Sequence, residues 1–438
     1  MKIPEKPIDW KKTLENEGNN VFKLIQDKSL FKKIIEFNKR YLYWDELKYR
    51  VKDKTEQKYI WTLIKFIRSE KFEDMPFSHK KIKYVNLPMV NKFLHRIDKF
   101  LAGNIEVQSK NLGLQKKYVI SSLMEEAIAS SMIEGAATTR KAAKRMLKQK
   151  LRPKDISEQM VLNGYETMQM IVKRKDEALT PDFLLEIQTA ITKETLKEPK
   201  DVGNFRNNDE IVVGDDTKAE LIYHVPPSHT KIKKMIKELC DFANNDCDDE
   251  FIHPVIKGIA LHFLIGFIHP FNDGNGRTAR SIFYWYVLSR GYWLFEYMAV
   301  SRRILRSKKG YGLAYLFTEF DEFDLTYFIK YNLEAIDDSL NDLLEYIKSK
   351  QKEQEETRKI IQKINKINYR QADILEDMMK NPDKTFTIQE ISETYRVVYQ
   401  TARTDLLTLH KMGYAKMYKI SKKFVFQFDE KNRPDLED

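Results

Sequence analysis

Cysteine is nearly absent: the 438 residues hold two, Cys240 and Cys247, in a loop-like acidic stretch. Two thiols build neither a disulfide framework nor a metal quartet, so both stay reduced in this reading. Long apolar runs are missing as well. No stretch approaches the ~18 uncharged apolar residues that a membrane span needs, which predicts no membrane partner. The start, Met-Lys-Ile-Pro-Glu-Lys, has no apolar targeting region, so the cytoplasm is the expected compartment. Residues 1–105 have few glycines and are rich in Lys, Leu, Ile and aromatics, which predicts helices with a loop around Met75-Pro76.

The chain does hold apolar residues (42%) and positive charge, a net +11. The first is ample for a large core, and the length suggests two to three domains. The second fits a lysine-rich solvated surface, because Lys is dispersed. The densest block has eight basic residues and no acidic one: Arg140, Lys141, Lys144, Arg145, Lys148, Lys150, Arg152 and Lys154. It reads as a solvated helix face, with the steering of an anionic substrate or target as the alternative.

The chemistry concentrates between His269 and Arg280, in His-Pro-Phe-Asn-Asp-Gly-Asn-Gly-Arg-Thr-Ala-Arg. Val255, Ile259, Phe263 and Phe267 recur every four residues before it, so a buried helix delivers His269. Ile282, Phe283, Tyr286 and Val287 continue an apolar stripe after it, up to a stop at Gly291. Gly274, Asn275 and Gly276 then lie at the second helix's N-terminus, where unpaired N–H groups and the helix dipole attract an anion. Arg277 and Arg280 share a helix face and can clamp phosphate oxygens. Asp273 beside bound phosphate would be repelled unless a hard cation lay between them, which argues for Mg2+. His269 supplies a group able to accept a proton near neutral pH. Residues 274–279 also fit the dinucleotide pattern G-x-G-x-x-A, with Glu296 at the ribose distance. That pattern must follow a short β-strand, and residues 255–268 are helical instead.

The twelve-residue string resembles the signature of the Fic (filamentation induced by cAMP) family, His-Pro-Phe-x-Asp/Glu-Gly-Asn-Gly/Lys-Arg-x-x-Arg, at every fixed position. The resemblance implies transfer of AMP from ATP to a Ser, Thr or Tyr hydroxyl of a protein target, whose identity stays open and includes the chain itself. It implies His269 as general base, Asp273 as metal ligand, Asn275 with the glycine amides as anion hole, and Arg277 and Arg280 on the phosphates. Ser130-Ser-Met-Ile-Glu134-Gly135, closing a helix over 119–135, resembles the family's inhibitory motif in its class II position. The implied mechanism has Glu134 pair with Arg280 and leave ATP misplaced; Ser130 faces the same way. The plainer reading is a surface carboxylate before a capping glycine.

Ile211-Val212-Val213 and Leu221 to Val225, around a Gly214-Asp-Asp turn, read as a β-hairpin. In the resemblance this is the flap, 210–225, where Ile211, Val212, Val213 and Tyr223 would dock the target as an added strand. The family often has a Tyr-Tyr pair walling the adenine; here Tyr311-Gly312 stands instead, leaving Tyr311 as the nucleotide contact. Tyr41, Tyr43 and Trp44 resemble an aromatic cluster of N-terminal extensions, and ordinary core packing explains them equally. Residues 335–368 read as a linker helix that could also pair two copies in a homodimer.

Residues 369–430 have the layout of a winged helix-turn-helix. Within 396–423, Arg396, Arg403, Lys411, Lys416, Lys419, Lys422 and Lys423 oppose only Asp405, a net +6. Arg403, Lys422 and Lys423 are the candidate DNA contacts, with protein docking as the alternative. The expected fold is thus mainly α: an N-terminal helical extension (1–105), a Fic-type core with its flap (106–334), the linker, and the winged helix domain. The expected function is a protein adenylyltransferase using ATP and Mg2+ and self-inhibited by Glu134. The alternatives are a DNA-binding regulator with a Fic sensor core, an enzyme that uses Glu134 to remove AMP, and an interaction protein with a vestigial site, which intact His269, Asp273, Arg277 and Arg280 disfavour.

Overall fold

The structure is a computed structural model that describes residues 2–77, 79–101, 116–215, 218–245, 251–362, 367–395, 397–420 and 423–432. The chain divides between Leu343 and Leu344 into two compact units. The first holds helices α1 (Trp10–Lys23), α2 (Lys28–Lys39), α3 (Trp44–Lys48) and α4 (Lys54–Ser69), strands β1 (Phe72–Asp74) and β2 (Lys83–Val85), and helix α5 (Pro88–Leu101). It continues through α6 (Lys116–Ile133), α7 (Arg140–Gln149), α8 (Ile156–Lys173), α9 (Pro181–Thr192), β3 (Val213–Asp215), β4 (Lys218–His224) and α10 (Ile232–Asn244). It ends with α11 (Pro254–Ile268), α12 (Asn275–Ser289), α13 (Val300–Arg306), α14 (Lys308–Phe320) and the start of α15 (Thr326–Gln362). Local sequence sets many of these starts. The carboxylates of Asp9, Asp27, Asp53 and Asp155 accept from first-turn N–H groups, and Pro181 and Pro254 open α9 and α11.

The centre is α11, apolar but for Lys257 and His262 and buried on nearly every residue, packed on α12. Gly258 permits that approach: a β-carbon there would stand 3.2 Å from Val287 and 3.3 Å from Phe283 and Tyr286. Around the pair lie α6, α8 and α9, with α10 on α11. Cys240 is buried in α10, where desolvation pushes its thiol up to about 12, so it stays protonated; Cys247 lies outside the described residues.

The N-terminal aromatics are core. Tyr43 stacks on Phe317 at 3.9 Å, and Tyr41 meets Tyr327 edge-on at 5.2 Å. Buried charges beside them are matched: Lys65 Nζ lies 2.8 Å from Asp321, and Asp324 accepts from Tyr41 at 2.7 Å. The helical reading of 1–105 missed strands β1 and β2, which flank the Met75-Pro76 loop in antiparallel register, Phe72 opposite Val85. Three residues are too short to show a period. Of the basic block, Arg140 and Lys144 pair with Glu125, and Lys141, Lys148 and Lys150 lie exposed on α7 or at its end.

Two boundaries differ from expectation. Residues 335–368 are not a separate linker helix, because α15 already starts at Thr326 and keeps burying Phe328, Leu333, Leu340 and Leu343. The flap is shorter than 210–225: Val213 pairs with His224, so Ile211 and Val212 precede the strand. Their partners would fall at Val225 and Pro226, and proline has no N–H for the ladder.

The second unit holds the rest of α15, then α16 (Tyr369–Lys380), β5 (Thr385–Thr387), α17 (Ile388–Tyr395), α18 (Tyr399–Lys411), β6 (Ala415–Ile420) and β7 (Lys423–Phe428). The strands form one antiparallel sheet in the order β5-β7-β6 around a core of Ile374, Leu375, Met378, Phe386, Leu406, Leu409 and Phe426. Strand β5 was not foreseen in the sequence. Arg396 and Lys422 lie outside the described residues, and only the backbone of Lys423 is described. No described helix is long and apolar enough to cross a membrane.

Candidate active site

Helix α11 ends on His269, whose backbone turns left-handed at φ 47° while its N–H still donates to Ile265 O at 3.0 Å. The ring is fixed by Nδ1, 3.3 Å from Gly266 O. A carbonyl only accepts, so Nδ1 carries the hydrogen and Nε2 keeps its lone pair. Burial lowers the imidazole to about 4, and the Gly266 carbonyl offsets only part of that. At neutral pH the ring is a free base.

The loop then closes on itself. Asn275 Nδ2 donates to Phe271 O at 2.8 Å, and its Oδ1 accepts from Phe271 N–H at 3.0 Å. Its side chain thus braces the loop, with Oδ1 and one of its two amide hydrogens engaged by Phe271. Gly274, at φ 84°, opens α12 and brings no side-chain cap, so the first-turn N–H groups are left without a capping side chain. Arg277 Nη1 donates to Ile191 O at 3.0 Å, while its Nε and Arg280 Nη1 are buried without an acceptor among the described residues. Buried donors lacking acceptors beside a helix N-terminus suit an anionic ligand.

Arg280 is otherwise held by α6. Its Nε donates to Ser130 Oγ at 2.9 Å, and Nη2 donates to Ser130 O at 3.0 Å and to Glu134 Oε1 at 2.9 Å. Burial pushes the Glu134 carboxyl up, but Arg280, with Arg277 and His269 behind it, brings it below the usual range. That carboxylate rests on the backbone of Gly276, where a β-carbon would come 2.8 Å from Glu134 Cδ. Glu134 keeps 33% of its side chain in contact with solvent.

These groups share one cleft of about 690 Å3, lined by Glu134, His269, Gly276, Arg280, Tyr311 and Tyr315, with Val213, Tyr223 and His224 from the flap. Tyr311 is fixed by a 2.7 Å contact between its hydroxyl and His262 Nε2. Ile211 and Val212 do not line the cleft, and Val212 is exposed. Asp273 precedes Gly274, 56% exposed, with Oδ2 3.5 Å from Arg277 Nη2. Among the described residues no cluster of three or more His, Cys, Asp or Glu could hold a metal, so a cation here would take most of its ligands from phosphate and water. An accessible carboxylate beside unsatisfied phosphate-type donors fits that arrangement.

Sequence reasoning passed over three residues that build this site. Arg206 donates to His269 O, and His224 links Phe267 O to Glu319. Their partners are mostly main-chain carbonyls, which leave no side-chain pattern to read.

Residues 178–287 match the Fic/DOC family model. Among curated proteins, a protein adenylyltransferase Fic from Nematostella vectensis is 26% identical over 209 residues, 46% of this chain and 44% of the relative. One from Drosophila willistoni is 32% identical over 95 residues, 22% of this chain and 17% of the relative. The matches thus span less than half the length of these relatives. Among solved structures, a Fic family protein from Desulfovibrio desulfuricans G20 superposes with TM-score 0.55 at 17% identity, over 82% of this chain and 99% of that one. A fragment of Fic-1 from C. elegans reaches TM-score 0.50 at 15% identity, over 78% and 92%. At such identities the likeness is one of fold.

Proposed function

Residues 178–287 being a Fic/DOC family domain, we propose that the chain is a protein adenylyltransferase which transfers the AMP of ATP to a hydroxyl of a protein and is held inactive by Glu134. The observation that carries the reading is His269 with its lone pair free, in one cleft with an open helix N-terminus and Arg280. His269 Nε2 takes the proton as the acceptor oxygen attacks the α-phosphorus. The new O–P bond forms, the α–β anhydride breaks, and pyrophosphate leaves. The N–H groups of α12, with Arg277 and Arg280, hold the phosphate oxygens where charge develops. Asp273 is the residue that would hold Mg2+, which when bound neutralises phosphate charge.

Glu134 opposes this by occupying Arg280 and the surface of Gly276. A triphosphate entering the cradle meets a carboxylate where its own charge should be paired, so the α-phosphate stays out of line. The flap supports acceptor docking: Val213 and Tyr223 line the cleft, and a two-stranded ribbon can accept an added strand.

A second reading concerns residues 369–430, proposed as a winged helix that binds DNA. Asp405, the sole acidic residue of 396–423, is buried and accepts from Arg370 and Gln371, while Arg403 and Lys419 are exposed. Charge that would repel a duplex is thus turned inward.

The enzymatic reading is tested by incubating the pure chain with labelled ATP and Mg2+ and locating the label by mass spectrometry. His269→Ala should abolish transfer while ATP still binds; unchanged labelling would remove His269 from the reaction.

A further inference from the structure

Two side chains that take no part in the transfer tie the flap to the histidine loop. Arg206, 3% exposed, follows Gly203-Asn-Phe just ahead of the flap. Its Nε donates to the carbonyl of His269 itself at 2.9 Å, and its backbone N–H donates to Pro270 O at 2.9 Å. Nη1 donates to Asn208 O at 2.8 Å and to Asp209 at 3.0 Å, and Nη2 reaches Pro227 O, just past the end of β4. Phe205 beside it stacks on Phe271 at 5.5 Å.

From the opposite side, His224 closes β4, 8% exposed. Its Nε2 lies 2.8 Å from Phe267 O and its Nδ1 2.7 Å from Glu319 Oε2. The carbonyl only accepts, so Nε2 carries hydrogen, and Nδ1 faces the Glu319 carboxylate. The flap alone sets its register weakly, because its two-stranded ladder shifts on both sides of Gly214. The carbonyls of Phe267 and His269, two residues apart at the end of α11, supply a fixed reference, each gripped by one of these side chains.

We propose that Arg206 and His224 are positioning residues that fix the flap in register on the His269 loop, so that an acceptor segment added to the flap and the base that deprotonates it are set as one body. Its chemical consequence rests on the adenylyl-transfer reading; its geometry does not. A one-residue slip of the flap would turn the acceptor hydroxyl to the far face of the added strand. A misplacement of even about 1 Å can cost about a hundredfold in rate.

The test uses the full chain carrying Glu134→Gly, alone and with Arg206→Met, His224→Leu or His224→Gln. Backbone hydrogen exchange in β4, α11 and α12, ATP affinity, and labelling from ATP with Mg2+ are measured on each. Arg206→Met and His224→Leu should speed exchange at residues 221–224 by about tenfold or more and leave α11 and α12 unchanged. ATP affinity should stay within about twofold while labelling falls at least about tenfold. His224→Gln, whose amide can still donate to Phe267 O, should recover most of both. Unchanged exchange in β4 overturns the proposal, as does exchange that rises equally in α11 and α12, or full labelling with a freed flap. Should the Glu134→Gly chain label nothing, the adenylyl-transfer reading fails, and exchange in β4 still decides the registration.

Discussion

Arg280 Nη2 and Glu134 Oε1 stand 2.9 Å apart across 146 positions of sequence, with Ser130 Oγ holding the same guanidinium from the preceding turn of α6. One helix thus reaches into the phosphate cradle of another and occupies the arginine that the cradle would give to its ligand.

Gly276 is part of that seat. A β-carbon there would come 2.8 Å from Glu134 Cδ, so Gly276→Ala should lift the carboxylate and raise labelling toward the level of Glu134→Gly. Labelling at or below wild type, in a variant that still folds and binds ATP, would show that the carboxylate does not rest there.

The pH profile follows from the surroundings of His269 and Glu134. Burial holds His269 at about 4, below the ordinary histidine value, so the neutral base persists at all higher pH and is lost only as pH falls through about 4. In the Glu134→Gly chain, labelling should therefore show no loss from this base between about pH 8 and pH 6. Glu134, which burial raises but Arg280 lowers further, is held ionised below its usual range, so wild-type inhibition should persist over the same interval. A half-maximum near pH 6.5, traced to His269, would contradict the buried free base.

Within the C-terminal unit, duplex affinity should fall steeply with salt, in proportion to the phosphates neutralised, and Lys422→Glu with Lys423→Glu should weaken it across sequences. Arg403 lies exposed on α18 and should behave the same way. No duplex binding at low salt would assign this unit to protein docking.

The helix–loop–helix at the centre was legible in sequence because a four-residue apolar period runs up to His269 and resumes beyond the glycines. The Glu134–Arg280 pair was not legible from spacing, since nothing local links residues so far apart; only the resemblance pointed to it. One reading failed for a physical reason. Ile211 and Val212 look like strand, but the prolines after His224 leave them without a ladder. Arg206 and His224 left no trace because a grip on a carbonyl has no sequence signature, and Glu319 meets His224 only through the fold.

The central claim is that Glu134 inhibits through Arg280, and a double-variant cycle measures it. At saturating ATP with Mg2+ and with an accepted target, Glu134→Gly should label far more than wild type, and Glu134→Gly with Arg280→Ala should lose most of that gain. Such non-additivity is expected only of coupled residues. Equal labelling by wild type and Glu134→Gly, or a gain that survives loss of the arginine, would contradict the account and leave residues 130–135 as merely the end of a helix.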